Sequence, residues 1–285
     1  MIRFNRVTII GVGLIGGSIG LAIRKRRIAD EIIGVFRRAS TMRKALKKGA
    51  VDLGTRNIKE GVKDADLIII ASPVMSVPKL AVEAARHSKP GAIITDVGST
   101  KNWIVGIIED SLGAGSPARF VGSHPMAGSE KAGVEFAKND LLKGAPCIVT
   151  RTSNTDIAAF KKIVKFWKAL GARVREMSPM EHDRVVSMIS HLPHIVAFSL
   201  AGSASSGEIA CAAEGFWDTT RVASSDPELW SDIFLTNPKE IIDAYAVFNK
   251  RSKMIIDAIR HNRRKDLVRC LTQAKSNRDK FIDYR

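Results

Sequence analysis

The feature of this chain that most constrains its fold is an alternation of short apolar runs with helical stretches between residues 7 and 177. Each of the first four runs precedes a stretch of helical periodicity; they are VTIIGVG (7–13), EIIGVF (31–36), DLIIIASP (66–73) and AIITDVGS (92–99). The series continues with RFVGSHP (119–125), PCIVT (146–150), an amphipathic helix from Asp156 to Leu170 and ARVREM (172–177). Strands that alternate with helices form βαβ units, and their near-continuous apolar character suits a sheet covered on both faces. The pattern therefore predicts an α/β domain built on a parallel sheet.

The alternation of strands and helices ends at Ser178, and no convincing strand follows it. SPME (178–181) and NPKE (237–240) each place a capping residue before a proline, which favours the start of a helix. After the second start, apolar side chains recur at helical spacing at Ile241, Ile242, Tyr245, Phe248, Ile255, Ile256 and Ile259. We therefore expect an α/β domain over 1–178 and an all-α C-terminal domain over 179–285. The stripe is wide for so small a domain, which favours a homodimer over packing within one chain.

Composition limits the classes of protein that this chain can belong to. Its unbroken apolar runs are too short to cross a bilayer and no signal-peptide pattern precedes the first strand, so we expect no membrane association. The three cysteines form neither a disulfide framework nor a metal-ligand pattern, which favours a reducing cytoplasm and no metal site. A net charge of +16 attracts anions of every kind, including nucleic acid. Aromatic residues make up only 6% and do not interleave with the basic groups, so we expect solvated helix faces and no nucleic-acid partner.

The glycine pattern GVGLIG lies directly after the first strand and opens the first helix. In that context Gly11 permits a tight turn, Gly13 lets the backbone approach a pyrophosphate, and Gly16 lets helix and strand pack closely. The amides at the helix start, from Leu14 and Ile15 onward, then face the phosphates. The pattern indicates a Rossmann-type domain that binds a dinucleotide, with a purely structural glycine turn as the alternative.

The turn after the second strand bears on the choice of dinucleotide. This strand ends in VFRRAST, and no carboxylate is available in the turn. A cofactor without a 2′-phosphate usually meets an acidic residue here, which hydrogen-bonds to the ribose hydroxyl. Arg37 and Arg38 occupy the turn instead, and guanidinium groups match a phosphate in charge and in donor geometry. We therefore predict NADP in preference to NAD; the alternative is that one or both arginines are simply solvated.

Polar residues follow three of the predicted strands. Ser72 and Pro73 end one strand, Ser99 follows another, and His124 follows a third. Dinucleotides bind outside the carboxyl ends of parallel strands, so these residues should converge on the cofactor crevice.

The helical half supplies further polar candidates. MISHLPH places His191 two residues before a proline, where a helix tends to kink, and DTTRVASSDPELW offers Arg221 in a polar loop. Each has a structural alternative: His191 could be a hydrogen-bonded core histidine, an interpretation that we favour for His194, and Arg221 could form an ion pair. His182, in the first turn of a helix, could simply pair with a neighbour. The case for function therefore depends on the combination of these residues with a dinucleotide fold.

That combination resembles a known family. GVGLIGGSIG, DVGSTK, GSHPMAGSE, SHLPH and DTTRVASSDPELW occur in the order found in the prephenate dehydrogenases, a family that includes the arogenate and cyclohexadienyl dehydrogenases of tyrosine biosynthesis. The resemblance covers nearly the whole chain. The chorismate mutase and ACT regulatory extensions of some relatives have no counterpart here, so we expect a monofunctional enzyme.

The resemblance implies oxidation of prephenate by hydride removal from the ring carbon that bears the hydroxyl. The ring carboxylate leaves as carbon dioxide, and the products are 4-hydroxyphenylpyruvate and reduced cofactor. By position, His124 would accept a hydrogen bond from the ring hydroxyl and draw its proton, which is general-base work suited to a neutral imidazole. Ser99 matches the serine that orients this histidine beside the nicotinamide, and Arg221 matches the arginine that binds a substrate carboxylate. The remaining matches are His191, Ser129 and Glu130 around the substrate side chain and Trp230 as a pocket wall.

Three alternatives stay open at this point. Arogenate carries an ammonium group where prephenate has a keto oxygen, and Glu130 could pair with that ammonium or serve another purpose in a prephenate enzyme. Another two-domain reductase, such as a β-hydroxyacid dehydrogenase or imine-type reductase, would be expected to place a catalytic lysine or other polar group in its second domain, and no such lysine stands out. A dinucleotide-sensing or nucleic-acid-binding protein would leave GSHPMAG and SHLPH without a role.

Overall fold

The computed structural model describes residues 2–113, 115–128 and 131–282, with side chains described as far as residue 280. It divides into two compact units, the first ending at Pro238 and the second beginning at Lys239. The predicted domain boundary near residue 178 falls inside the first unit, where helices and sheet pack together, and it stays a prediction.

A six-stranded parallel sheet forms the centre of the first unit. Its strands are β1 (Phe4–Ile10), β2 (Ala29–Val35), β3 (Leu53–Thr55), β4 (Leu67–Ile70), β5 (Ile93–Asp96) and β6 (Arg119–Val121), in the spatial order β3-β2-β1-β4-β5-β6. The connecting helices are α1 (Leu14–Arg26), α2 (Ala39–Lys47), α3 (Ile58–Val62), α4 (Val77–His87) and α5 (Asn102–Leu112). This is the doubly wound order of dinucleotide-binding domains, so the predicted α/β architecture is confirmed. Strand β3 was not predicted, because three residues with a central glycine carry no periodic signal.

The core lies on both faces of this sheet, because alternate residues of its strands point to opposite sides. Ile9, Leu67 and Ile69 belong to one buried cluster, which α1 completes. Ile10, Ile68 and Ile70 belong to the other cluster, together with residues of α4 and α5. The near-continuous apolar runs in the sequence are explained by this double coverage.

A second, three-stranded sheet contains His124. It consists of β7 (Ser123–Pro125), β8 (Pro146–Thr150) and β9 (Arg173–Met177), with α6 (Ile157–Ala169) between the last two strands. The predicted run 119–125 is therefore split between two sheets. Gly122 lies at the break, where a Cβ atom would approach Thr150 Oγ1 to 2.6 Å. His124 follows β6, as predicted, but it lies in a further short strand, since it pairs with Ile148 inside β7.

Helices follow β9, and no strand occurs in the described chain beyond it. They are α7 (Pro179–Val186), α8 (Leu192–Ser203), α9 (Ser206–Ile209), α10 (Glu214–Thr220) and α11 (Pro227–Thr236). Ser178 caps α7 as predicted, since its hydroxyl accepts a hydrogen bond from the Glu181 amide. A π-helical turn, Ser187–His191, joins α7 to α8 without a break. A π turn and a proline are both recognised causes of irregularity in a helix.

The continuous helical stretch 179–203 reaches a mean hydropathy of 1.5, which by length and composition alone would suffice to cross a membrane. Its Asp183 accepts hydrogen bonds from the Lys101 and Asn102 amides at the start of α5. The stretch therefore contacts the first unit through α7, and 28% of its apolar window is buried.

The second unit consists of α12, which begins at the domain junction (Pro238–Arg260), and α13 (Arg264–Ile282). The predicted helix after Glu240 is confirmed. Much of its apolar stripe is exposed in the single chain, with Ile242 at 66% and Ile259 at 58%. An exposed stripe of this kind is typical of a surface that packs against another protein.

Candidate active site

The glycine turn between β1 and α1 has the geometry that its sequence predicts. Gly11 adopts a φ of +90°, and a Cβ atom there would lie 2.5 Å from the Ala71 carbonyl oxygen. At Gly16 a Cβ atom would lie 2.2 Å from the Gly11 carbonyl oxygen. At Gly13, by contrast, a Cβ atom would meet no described atom within 4 Å. Gly11 and Gly16 are therefore required by the fold, whereas Gly13 leaves open space beside the helix start.

The first turn of α1 fits the phosphates of a dinucleotide. Gly13 is its N-cap, no side chain caps the helix, and no acidic residue lies in the first turn, which contains Leu14 and Ile15. The free amides and the positive end of the helix dipole are thus available to an anion. Ser72, at the end of β4, lies beside this turn, since its Oγ atom would be 2.7 Å from a Cβ at Gly11. Pro73 is exposed next to it.

The turn after β2 separates one buried residue from two exposed ones. Phe36 is buried and packs on the open face of Gly34, where a Cβ atom would lie 2.4 Å from the phenyl ring. Arg37 and Arg38 are exposed, and within the described chain neither guanidinium forms a hydrogen bond or an ion pair. Two unpaired cations at the position that normally meets the ribose suit a 2′-phosphate.

A buried ion pair lies beneath the loop that follows β5. Lys101 Nζ is 2.6 Å from Asp96 Oδ2, and both side chains are fully buried. Asp96 also accepts hydrogen bonds from the amides of Gly98 at 2.8 Å and Ser123 at 3.1 Å. The pair therefore ties the end of β5 to the strand that carries His124. Ser99 lies half-buried in the same loop, and its hydroxyl makes no hydrogen bond to His124 in the described part of the chain.

His124 meets a histidine from the helical region. Its Nδ1 atom lies 2.9 Å from Nε2 of His182, and Nδ1 of His182 lies 2.7 Å from Asp183 Oδ1. His124 is only 8% exposed, and His182 and Asp183 are buried as well. The simple pairing considered for His182 in the sequence is thus a buried chain of three titratable groups that ends at the predicted base.

Burial keeps these histidines uncharged. It lowers the pKa of His124 well below 6.5, and His182, Lys101 and His191 lower it further. The pKa of His182 is likewise well below 6.5 because of burial and the charge of Lys101. Burial raises the pKa of Asp183, although hydrogen bonds from the Lys101 and Asn102 amides oppose that effect. A neutral imidazole at His124 can accept a proton, as a general base must.

His191 is fully buried on the π turn, with a pKa lowered by burial to about 4. Its Nδ1 atom lies 3.4 Å from the side-chain nitrogen of Asn237, which also donates a hydrogen bond to the Asp183 carbonyl at 3.0 Å. Its Nε2 atom is buried and makes no hydrogen bond of good geometry among the described residues, although the Ser99 backbone lies close enough to raise the pKa of His191 slightly against the effect of burial. An unpartnered buried nitrogen is costly unless a ligand or a water satisfies it.

Trp230 and Arg221 lie around the adjacent His194. The Trp230 and His194 rings stack at 3.4 Å between centroids, and the edge of His191 faces Trp230 at 6.1 Å. His194 also hydrogen-bonds to the Ser190 carbonyl at 2.8 Å, but it is half-buried and not a core residue, so its structural role stays a prediction. Arg221 begins a 3₁₀ turn (Arg221–Ser224), is exposed, and has no ion pair in the described chain. Its charge helps to lower the pKa of His194, after burial.

In the described part of the chain, the predicted site residues therefore form two groups. One surrounds the glycine turn, and the other brings together His124, His191, Arg221 and Trp230. Ser129 and Glu130 lie outside the described residues. Asp183, Lys101 and Asn237 were missed, because each contributes through contacts between distant parts of the chain. DVGSTK and NPKE, the motifs that contain two of them, were the available signals.

Known proteins resemble this chain along nearly its whole length. The family profile described as the nucleotide-binding domain of prephenate dehydrogenase matches residues 19–176, and the one described as its dimerization domain matches residues 178–273. A prephenate dehydrogenase of Bacillus subtilis is 39% identical over 96% of this chain and 76% of its own length. The structure of prephenate dehydrogenase from Aquifex aeolicus with hydroxyphenyl propionate and NAD⁺ has a TM-score of 0.89 at 34% identity, covering 97% of this chain and 98% of that one. The Synechocystis arogenate dehydrogenase structure has a TM-score of 0.82 at 29% identity, covering 97% and 99%.

A doubly wound sheet, a glycine turn open to phosphate and a buried neutral histidine in the second, three-stranded sheet define an NAD(P)-dependent dehydrogenase. The matches to both domain profiles and to relatives above 30% identity identify the family within this class of dehydrogenases. The chain belongs to the prephenate dehydrogenase family.

Proposed function

We propose that this enzyme oxidises prephenate to 4-hydroxyphenylpyruvate and carbon dioxide. The observation that carries the proposal is the state of His124, which is buried, uncharged and held through Nδ1 while no described residue binds Nε2. A base in this state can take the proton of a substrate hydroxyl. NADP, when bound, supplies the hydride acceptor.

The residues of the chain divide the remaining work. His124 accepts a hydrogen bond from the ring hydroxyl. It takes the hydroxyl proton while hydride leaves the ring carbon that bears this hydroxyl. Loss of the ring carboxylate as carbon dioxide makes the ring aromatic, and the proton returns to the phenolate oxygen. Arg221 pairs with a substrate carboxylate, because burying that charge requires a partner of opposite sign.

The first experiment is a comparison of four reactions, prephenate or arogenate with NAD or NADP, followed by the absorbance of the reduced cofactor. We expect the highest kcat/KM with prephenate and NADP, and 4-hydroxyphenylpyruvate as the product. Arogenate is the second candidate, because the Synechocystis relative is named an arogenate dehydrogenase. Tyrosine as the main product at the higher kcat/KM would replace prephenate by arogenate, and no turnover with either would overturn the proposal.

Arg221→Ala tests the carboxylate contact. Arg221 is exposed and unpaired within the described chain, so its removal should leave the fold intact. We expect the KM of the substrate to rise at least about tenfold, the scale of one charged hydrogen bond, with the KM of the cofactor unchanged. Arg175→Ala, at an exposed arginine on β9, is the matched control and should change neither constant.

The preference for NADP is proposed on the strength of Arg37 and Arg38. The double variant Arg37→Ala, Arg38→Ala should lower kcat/KM with NADP at least about tenfold and leave kcat/KM with NAD nearly unchanged. A wild-type enzyme that prefers NAD, or a double variant that loses both activities equally, would contradict this preference.

We also propose a homodimer that works in the cytoplasm. The family's second domain is described as a dimerization domain, and the apolar stripe of α12 is exposed in the single chain. Ile242→Asp should reduce the mass measured by light scattering to that of one chain, whereas Lys253→Asp on the same helix should not. The three cysteines are all free, which suits a reducing compartment.

A further inference from the structure

The buried, hydrogen-bonded series His124–His182–Asp183 contains two more titratable residues than a single general base requires. His124 lies on β7, whereas His182 and Asp183 lie on α7, so these hydrogen bonds join two parts of the first unit. Its two links are short, at 2.9 Å between the histidine rings and 2.7 Å from His182 to Asp183. Only His124 has a role in the proposed reaction, and the other two residues need a reason for being buried there.

Asp183 is anchored by the start of helix α5. Its Oδ1 accepts a hydrogen bond from the Lys101 amide at 2.7 Å, and its Oδ2 accepts one from the Asn102 amide at 2.9 Å. Helix α5 has no side-chain cap of its own and no acidic residue in its first turn. Asp183 therefore supplies the missing cap from another helix, where the positive end of the dipole stabilises a carboxylate. Two amide donors and one imidazole donor thus converge on its two oxygens.

The positions of the protons follow from this anchor. An ionised carboxylate only accepts hydrogen bonds, so the proton between Asp183 and His182 belongs to Nδ1 of His182. A neutral His182 then has a lone pair on Nε2, which can only accept. The proton between the two rings therefore belongs to Nδ1 of His124, and Nε2 of His124 keeps the lone pair.

The opposite arrangement would require either a charged His182 or a protonated Asp183 that donates to Nδ1 of His182. Hydrogen bonds from the Lys101 and Asn102 amides to both Asp183 oxygens favour the ionised carboxylate and oppose the second possibility. An imidazolium at His182 could donate to Asp183 and to His124 at once, which would place the lone pair of His124 on Nδ1. Burial and the ammonium group of Lys101 both disfavour that charge. The first arrangement is the one that the surroundings of His182 support.

We infer that His182 is a positioning residue which holds His124 in the Nδ1–H tautomer, and that Asp183 sets the direction of both hydrogen bonds. The consequence for turnover rests on the proposed function, whereas the tautomer itself does not. His182 keeps the same hydrogen bond when His124 has taken the substrate proton, because Nδ1–H of an imidazolium is still a donor.

The tautomer can be measured directly by ¹⁵N NMR of the histidine rings, which distinguishes protonated from unprotonated nitrogens. We expect the wild-type enzyme at pH 7.5 to show His124 protonated at Nδ1, assigned by its loss in His124→Asn. In His182→Leu the acceptor is removed, so the signal should change to the Nε2–H form or a mixture. In His182→Gln the side-chain oxygen can accept in place of Nε2, so the Nδ1–H form should persist. A wild-type His124 protonated at Nε2 would overturn the inference, whether or not the enzyme turns over prephenate.

Turnover gives a second measurement that a packing role would not reproduce. His182→Leu should lower kcat roughly 10²-fold, within the usual range for acid–base catalysis, with both KM values within about twofold of the wild type because His182 holds the base and not the substrate. His182→Gln should recover kcat to within about tenfold of the wild type. His87→Leu, at an exposed histidine on α4, is the control and should be unchanged.

Two outcomes of the kinetics would also overturn the inference. One is a folded His182→Leu enzyme with kcat close to that of the wild type. The other is an equal loss in the Leu and Gln variants, which would indicate packing and not the hydrogen bond. If the Leu variant does not fold, the tautomer of the wild-type enzyme and of His182→Gln still decides the matter.

Discussion

Lys101 Nζ lies 2.6 Å from Asp96 Oδ2 in a place where neither side chain reaches solvent. The backbone amide of the same Lys101 binds Asp183 at 2.7 Å. One residue therefore holds both a carboxylate at the end of the parallel sheet and a carboxylate from the helical region. Its charge also lowers the pKa of His124 and His182, after burial. This lysine thus contributes to the fold and to the uncharged state of the predicted base.

Lys101→Met should destabilise the protein by about 3–5 kcal/mol, because it leaves Asp96 buried without its counter-charge. The free energy of unfolding in urea measures this at pH 7. The double variant Lys101→Met, Asp96→Asn should be more stable than the single variant, since no uncompensated charge then remains. Lys275→Met, which breaks an exposed pair with Asp279, should cost about 0.5 kcal/mol or less. A single variant as stable as this control would contradict the prediction.

His124→Asn should lower kcat by roughly 10²- to 10⁴-fold, because an amide cannot take the hydroxyl proton. Steady-state kinetics with the preferred substrate and cofactor measure this. The fold should be preserved, since the asparagine amide can still donate toward His182. A thermal unfolding curve and the Kd of the cofactor, both near the wild-type values, would verify that. Near-normal turnover would exclude His124 as the base.

The glycine turn offers a matched pair of substitutions. Gly13→Ala places a Cβ atom in open space at a φ of −91°, so stability should change by less than about 1 kcal/mol. The KM of the cofactor should nevertheless rise at least about tenfold, because the methyl group occupies the approach of the pyrophosphate. Gly16→Ala drives a Cβ atom against the Gly11 carbonyl and should destabilise the fold by about 1–3 kcal/mol or more. Unchanged cofactor kinetics in Gly13→Ala would argue against phosphate binding at this turn.

The buried His191 should make stability depend on pH in a defined direction. Its pKa is about 4 in the folded chain and about 6.5 in the unfolded chain, so the unfolded state binds more protons between those values. Stability is therefore lost as the pH falls from about 6.5 toward 4. Between pH 7 and pH 5 the loss from His191 alone should be about 2 kcal/mol.

His191→Asn isolates that contribution, since an asparagine oxygen can still face the Asn237 amide. The free energy of unfolding of this variant should fall less between pH 7 and pH 5 than that of the wild type. Asp96, whose pKa is raised by burial, acts in the opposite sense in both proteins and cancels in the comparison. The pKa of Asp183 is also raised by burial, and its contribution cancels except for the small part that His191 causes. Equal pH dependence in the two proteins would show that His191 titrates normally.

Local sequence patterns were sufficient for much of this protein. The period of the apolar residues predicted the parallel sheet and the later helices, because strands buried on both faces must be apolar almost throughout. GVGLIG predicted the phosphate turn, since left-handed φ at Gly11 and close packing at Gly16 exclude other residues. The cap at Ser178 was also predictable, because a helix start is a local contact.

What only the tertiary structure decided are the contacts between segments far apart in the chain. His182 looked like an ordinary residue of a first helical turn, and nothing local indicated that it would meet His124, 58 positions away. Asp183 caps a helix that begins 81 positions before it, and Asn237 turns its amide toward Asp183 and His191. The periodicity of a sequence specifies which face of an element is buried, but not which buried polar groups meet. The sequence by itself therefore determined the fold class and the candidate base, whereas the packing of α7 against β7 and α5 decided which residues hold that base.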